Sequence, residues 1–124
     1  MKDKNISQAE LVIMKVLWDE SPLSAQQIDG LLKGQNWTTA TVKSLINRLL
    51  KKGFIKFEQQ GRAYQYLPVV AKADYLVVQN QTFIADLYDG KLSSMMAAFT
   101  SHEKLSAEEI SEIKSIIKKM EQQS

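Results

Sequence analysis

Cysteine is absent from the 124-residue sequence, and histidine occurs only once, as His102. A chain without cysteine cannot build disulfide scaffolds, cysteine zinc clusters, iron–sulfur sites or thiol nucleophiles. Long apolar runs are also missing: the longest covers residues 95–99, whereas a membrane-spanning helix needs about 20 such residues. The sequence therefore predicts a cytoplasmic protein that does not insert into a membrane and holds neither a metal nor a cofactor.

Catalytic groups at diagnostic spacings are missing as well. The sequence contains no glycine-rich phosphate loop and no paired histidines for a metal. His102 stands between Ser101 and Glu103, but a catalytic triad needs groups that converge in space rather than chain neighbours. We therefore predict that the chain has no catalytic residues and is not an enzyme.

Charge is distributed unevenly along the chain. Residues 1–72 contain 11 Lys/Arg and 6 Asp/Glu, whereas residues 73–124 contain 5 and 8, respectively. A basic segment attracts polyanions such as nucleic acids. The imbalance favours a nucleic-acid contact in the first part of the chain, with a chance excess of cations as the alternative.

Two capping boxes predict the starts of the first two helices. The patterns are Ser-x-x-Glu at residues 7–10 and Ser-x-x-Gln at residues 24–27, in which each side chain satisfies a free backbone amide of the other residue. We expect the second helix to bury Ile28, Leu31 and Leu32. It should end at Gly34, because glycine readily adopts the left-handed conformation that follows a helix.

The third predicted helix has two clearly different faces. It begins after Thr38 or Thr39 and ends at Gly53, and its apolar residues between positions 42 and 50 repeat with helical spacing. The opposite face is polar, first with short side chains and then with cations, and no acidic residue lies between Asp29 and Glu58. Such a helix fits the major groove, which is about 12 Å wide. The predicted DNA-binding residues of this helix are Thr39, Ala40, Thr41, Lys43, Ser44, Asn47, Arg48 and Lys51.

A β-hairpin is predicted after this helix, with strands at residues 54–58 and 63–67 joined by a turn at residues 59–62. Gln60 and Arg62 in that turn would reach the DNA backbone or the adjacent minor groove, while Lys52 and Lys56 would contact phosphates. Three helices followed by a hairpin are typical of a winged helix-turn-helix DNA-binding domain. We assign it to residues 1–70; a solvated polar face on a small helical domain is the alternative.

The remaining residues, 71–124, are predicted to form a helical dimerisation domain, so the whole fold is mainly α with one small β-hairpin. Its helices are too few to bury their own apolar faces, and a second chain would complete the core. The alternative is that they fold back onto the first domain. The predicted dimerisation residues are Leu76, Phe83, Leu87, Leu92, Met96, Ile110, Ile113 and Ile117.

Several segments together resemble the BlaI/MecI/CopY family, which comprises the penicillinase, methicillin-resistance and copper-transport repressors. The similar residues are 6–10, 14, 17–19, 37–49, 52–55, 61–66 and 83–90. The resemblance implies a homodimeric transcriptional repressor that binds a palindromic double-stranded DNA operator through its third helix. It would negatively regulate a resistance or stress-response operon of the β-lactam or copper type. A winged-helix protein-interaction module without sequence-specific DNA binding is the alternative function.

The resemblance also bears on how such a repressor is released. In the β-lactam branch, a membrane sensor-protease system leads to cleavage just before a phenylalanine in the dimerisation region. The matching bond here is Ala98–Phe99, with Ala where the family usually has Asn. In the copper branch, C-terminal Cys-x-Cys motifs bind metal, and this chain has no cysteine. The resemblance therefore implies release by cleavage or by another signal, but not by that metal site.

Overall fold

The computed structural model describes residues 5–123, so positions 1–4 and 124 of the two predicted domains lie outside the described residues. The fold is mainly helical with one antiparallel hairpin, which confirms the predicted fold class. The elements are α1 (Gln8–Asp19), α2 (Ala25–Leu31), a 3-10 turn (Lys33–Gln35), α3 (Thr39–Lys52), β1 (Ile55–Gln60), β2 (Ala63–Pro68), α4 (Lys72–Tyr88), α5 (Leu92–Thr100) and α6 (Ala107–Gln123). The chain divides into two compact units, Met1–Val77 and Val78–Ser124.

Both predicted capping boxes at the start of the first unit are present. The amide of Glu10 donates to the Ser7 hydroxyl over 3.1 Å, and the Ser7 amide donates to the Glu10 carboxylate over 2.8 Å. Ser24 and Gln27 make the same two bonds, at 3.1 and 2.8 Å. These reciprocal bonds fix where α1 and α2 begin.

The core of the first unit lies between α1, α2 and α3 and is closed by the hairpin and the start of α4. The Trp18 indole donates to the carbonyl of Val70 over 2.9 Å. The Tyr75 ring lies 5.5 Å from that of Trp18 and 6.2 Å from that of Phe54. These contacts attach the first residues of α4 to this unit, which ends at Val77. The buried apolar residues are Ile13, Met14, Leu17, Leu23, Ile28, Leu32, Val42, Leu45, Ile46, Leu49, Phe54 and Ile55.

The end of α2 differs from the prediction. The helix stops at Leu31, Gly34 lies inside the 3-10 turn, and the left-handed residue is Asn36, with φ 62°. Asparagine tolerates that conformation better than most residues because its short polar side chain can hydrogen-bond locally. The prediction that Leu31 is buried was also wrong, because it is 55% exposed, whereas Ile28 and Leu32 are buried as predicted.

The hairpin is longer and tighter than predicted. β1 extends to Gln60, which pairs with Ala63, so only Gly61 and Arg62 form the turn. Gly61 has φ 62°, the left-handed value that glycine supplies at the first central position of a two-residue turn. The register runs back to the Ile55–Pro68 pair. The turn therefore projects Arg62 at the far end of the hairpin.

A buried ion pair joins the start of α1 to the end of α3. Glu10 is 1% exposed, and the Lys52 ammonium lies 2.8 Å from its Oε1 atom and 3.1 Å from the Asn5 carbonyl oxygen. The Lys52 ammonium therefore has part of its donor capacity engaged within the protein, and its contact with phosphate stays a prediction. Burial raises the pKa of Glu10, but hydrogen bonds from Lys52 and Ser7 and the charge of Lys52 outweigh burial and hold that pKa below its usual value.

Replacing Glu10 by glutamine should lower the free energy of unfolding at pH 7 by about 1.5–3 kcal/mol, the contribution of a hydrogen bond to a charged group. Glutamine keeps the capping acceptor but loses the charge. The wild-type advantage should be complete above the ordinary glutamate pKa of about 4.3 and vanish as the pH falls through the lower folded-state pKa. Denaturant unfolding between pH 7 and pH 3 measures both effects. Exposed Glu20→Gln is the matched control, and a pH-independent difference would contradict the pairing.

The second unit, described from Val78 to residue 123, lacks a buried core. No residue after Ile55 in the described part of the chain is buried. Many of its large apolar side chains are instead half or more exposed: Leu87 is 65% exposed, Ile117 52% and Met120 66%. Phe83 and Tyr88 have ring centroids 6.0 Å apart and line an apolar groove with Met95 and Phe99. Among the described helices, none combines the length and apolar character of a membrane span.

Candidate nucleic-acid interface

The exposed face of α3 carries every residue that the sequence predicts for DNA contact on this helix. Val42, Leu45, Ile46 and Leu49 are buried against the rest of the unit, so the other side of the helix faces solvent. Side chains at intervals of four and three residues form the middle of that face. They are Ala40, Ser44, Asn47 and Lys51, flanked by Thr39 and Lys43 on one side and by Thr41 and Arg48 on the other.

Hydrogen bonds organise the start of this face. The Thr38 hydroxyl caps α3 by accepting from the Thr41 amide over 3.1 Å, and the two hydroxyls lie 3.0 Å apart. The Thr39 hydroxyl donates to the Asp29 carboxylate on α2 over 3.2 Å. Each threonine at the beginning of the helix therefore has a set orientation before any ligand arrives.

A groove of about 600 Å³ runs beside this face, between the start of α2, the start of α3 and strand β2. Thr39 and Lys43 line it from α3, Ala25 and Asp29 from α2, and Tyr64 from β2. A smaller recess of about 130 Å³ brings Lys43 and Asn47 beside Tyr66. The structure thus joins α2, α3 and the hairpin in one continuous surface.

The far end of the hairpin places Gln60, the last residue of β1, and Arg62, in the turn, in solvent. The side-chain amide of Gln59 donates to the Gly61 carbonyl over 3.2 Å, which stiffens the turn. Phe57 and Tyr64 pack against each other across the strands, with ring centroids 4.8 Å apart. The hairpin therefore presents the Arg62 guanidinium and the Gln60 side-chain amide at the end of two strands that these contacts stabilise.

The charge of this surface suits a polyanion. Lys43, Arg48, Lys51 and Arg62 are all exposed, and α3 contains no acidic residue. Basic side chains attract phosphates at long range and form charge-assisted bonds at short range. Within residues 5–123, no cluster of three or more His, Asp or Glu side chains could hold a metal ion.

Two features of the surface escaped the sequence analysis. Asp29 was noted only as the edge of an acid-free segment, whereas it contacts the first residue of α3. The second is Tyr64, which is 48% exposed and lines the groove while it packs against Phe57. No local signal links residues 29 and 39, because their contact depends on how α2 packs against α3.

Comparison with known proteins identifies the family. The family model described as "Penicillinase repressor" matches residues 6–119. The chain belongs to the penicillinase repressor family. It is 36% identical to the penicillinase repressor of Bacillus licheniformis over 94% of this chain and 91% of that protein. It is 33% identical to the methicillin resistance regulatory protein MecI of Staphylococcus aureus over 95% of this chain and 97% of that protein.

A solved structure of a similar protein contains operator DNA. The chain is similar to the monomeric form of Bacillus licheniformis BlaI in complex with the blaP half-operator, with a TM-score of 0.51 and 34% identity over 60% of this chain and 94% of that chain. The predicted family, the winged-helix fold and the function as a sequence-specific DNA-binding repressor are thereby confirmed. The penicillinase repressor family consists of transcriptional repressors, so the prediction that this chain is not an enzyme is confirmed too.

Proposed function

We propose that the protein works in the cytoplasm as a homodimer that binds a palindromic operator and represses a resistance or stress-response operon. The observation that carries the proposal is the exposed face of α3, which is acid-free, with small side chains at its start and cationic ones at its end. Small side chains allow the helix to approach the base edges closely, and cationic side chains at the end of the helix contact the DNA backbone.

The residues that recognise bases lie at the start and in the middle of that face. Thr39, Lys43, Ser44 and Asn47 lie where hydrogen bonds to base edges can form once α3 enters the major groove. Ala40 and the methyl group of Thr41 suit the methyl group of thymine. These residues set which operator is bound.

Residues at the end of α3 and at the far end of the hairpin contact the phosphates of the DNA. Arg48 and Lys51 extend from the last turns of α3, and Gln60 and Arg62 extend from the far end of the hairpin. Contacts of this kind position the protein on the duplex and carry little sequence information. They also make affinity depend steeply on salt.

Dimerisation falls to the second part of the chain. The predicted dimerisation residues are exposed or half-buried, with Phe83 50% and Leu92 54% exposed. Exposed apolar surface of this extent marks an interaction site, and a second copy of the same unit would cover it. Two chains related by a two-fold axis would read half-sites about 34 Å apart, one helical turn of DNA.

Release by proteolysis would act on this same part of the chain. Ala98 and Phe99 lie in the last turns of α5 and are exposed, and the Ala98 carbonyl accepts from the Ser101 hydroxyl over 2.7 Å. A protease in a membrane sensor system would reach the bond after this last turn unwinds. Cutting there separates α6 from the DNA-binding part and weakens the dimer.

The peripheral cations should each contribute to the salt dependence of operator binding. Replacing Lys51 or Arg62 with glutamine should reduce the slope of log affinity against log salt by about 0.9, the value for one lost phosphate contact. The preferred DNA sequence should stay the same. Fluorescence anisotropy at several salt concentrations measures the slope, with exposed Lys15→Gln on α1 as the control. An unchanged slope in both variants would remove these residues from the interface.

A gel-shift experiment with total genomic fragments tests the proposed function. The protein should retard a small subset of fragments in the presence of excess nonspecific DNA at near-physiological salt. Retardation of all fragments alike, or of none, would contradict an operator-binding repressor and favour the protein-interaction module.

A further inference from the structure

The first residue of α3 makes a contact that limits the hydrogen bonds available to DNA. Thr39 is exposed at the start of the exposed face, and its hydroxyl donates to the Asp29 carboxylate over 3.2 Å. A hydroxyl has one proton to donate and two lone pairs that accept. Because the carboxylate takes the proton, only the lone pairs of Thr39 remain for another partner.

This restriction has a direct consequence in the major groove. Base edges there donate only through the amino groups of adenine and cytosine, whereas guanine N7 and O6 and thymine O4 accept. A threonine hydroxyl that can only accept forms a hydrogen bond with an amino group. It leaves the other base edges unpaired. Phosphate oxygens are acceptors too, so the Thr39 hydroxyl cannot donate a hydrogen bond to the DNA backbone either.

The surroundings of Asp29 support a role in this arrangement. Asp29 is half-buried on α2, and it is the one acidic side chain among the described residues that line the groove shared with Lys43 and Tyr64. A carboxylate on a surface that meets a polyanion opposes binding by its charge. Its presence there is consistent with a gain in selectivity rather than in affinity.

We propose that Asp29 is a specificity-determining residue of this repressor, which acts by holding Thr39 as an acceptor that selects adenine or cytosine at one operator position. Asp29 is a positioning residue, since it acts through Thr39 without touching the base. The inference rests on the proposed function, because it requires α3 to enter the major groove.

The test is selection of bound sequences from a randomised DNA library, with the full-length wild type and its variants compared side by side. In the wild type, the position that faces Thr39 should favour an amino-bearing base by about fivefold or more, the discrimination of one hydrogen bond. In Asp29→Ala the hydroxyl is free to donate, so this preference should fall below about twofold while the other positions keep theirs.

Three further variants separate the proposed role from other effects. Asp19→Ala on α1 also removes an exposed negative charge and should leave every position unchanged. Thr39→Val removes the hydroxyl and should abolish the same single preference, and adding Asp29→Ala to it should change nothing further, because both act through one contact.

Three results would overturn the inference. They are an Asp29→Ala profile identical to that of Asp19→Ala, a loss of preference at all positions alike, and a wild-type profile without an amino-bearing base at the position that Thr39→Val affects. A wild type that enriches no site at all would instead overturn the proposed function itself.

Discussion

Replacing Lys43 or Asn47 with alanine is expected to lower affinity for the operator by about 5- to 150-fold in each case. This range corresponds to the 1–3 kcal/mol that a good base contact provides. Both side chains extend from the exposed face of α3 into the recess beside Tyr66. They are exposed and lie opposite the buried stripe, so their loss should leave the free energy of unfolding nearly unchanged.

The effect should depend on sequence, which separates base contacts from phosphate contacts. Each variant should lose most of its preference for the operator over a mutated operator, whereas nonspecific binding changes little. Anisotropy titrations with the two duplexes measure this ratio. Lys15→Ala on α1 provides a lysine-removal control. Wild-type affinity in both α3 variants would mean that another surface reads the DNA.

Glutamate at Ile117 is expected to convert the protein to a monomer and to lower affinity for a palindromic operator about 100-fold or more, the usual gain from linking two binding sites. Ile117 lies on the apolar side of α6 and is 52% exposed, and a charge there would have to be desolvated in a dimer. Affinity for a half-site should stay at the wild-type value, because the DNA-binding unit is untouched.

The matched control is Ser115→Glu, two residues earlier on the polar side of the same helix. It adds the same charge and should leave the protein dimeric. Sedimentation velocity gives the oligomeric state, and circular dichroism shows whether α6 still forms. Equal behaviour of the two variants, whether both dimeric or both monomeric, would contradict an interface on the Ile117 side.

Much of the fold could be predicted from the sequence because its signals are local. The capping boxes at residues 7–10 and 24–27 fixed two helix starts, and the spacing of apolar residues in α3 identified its buried face. The alternation after Gly53 located both strands. Each of these features depends on residues within a few positions of one another.

Local patterns did not predict two contacts between distant residues and the end of one helix. Lys52 belongs to a basic cluster in the sequence, but Glu10, which precedes it by 42 positions, pairs with its charge. The contact between Asp29 and Thr39 likewise depends on how α2 packs against α3. At the end of α2, Asn36 adopts the left-handed conformation that was predicted for Gly34. The composition of the chain and the spacing of its residues do not determine these contacts or this helix end.

The candidate site could be located from the sequence more completely than it could be explained. All the predicted α3 residues lie on one exposed face because helical periodicity fixes which positions point away from the core. The groove beside them could not be predicted, since it is formed by α2, α3 and β2 together.

Selection of bound DNA from a randomised library, followed by a count of protein chains per bound duplex, tests the central claim most directly. We predict enrichment of a two-fold symmetric site with half-sites about one helical turn apart, two chains on each duplex, and loss of the enrichment in Lys43→Ala. No enriched site, or an asymmetric site occupied by a single chain, would contradict a dimeric repressor that reads a palindrome through α3.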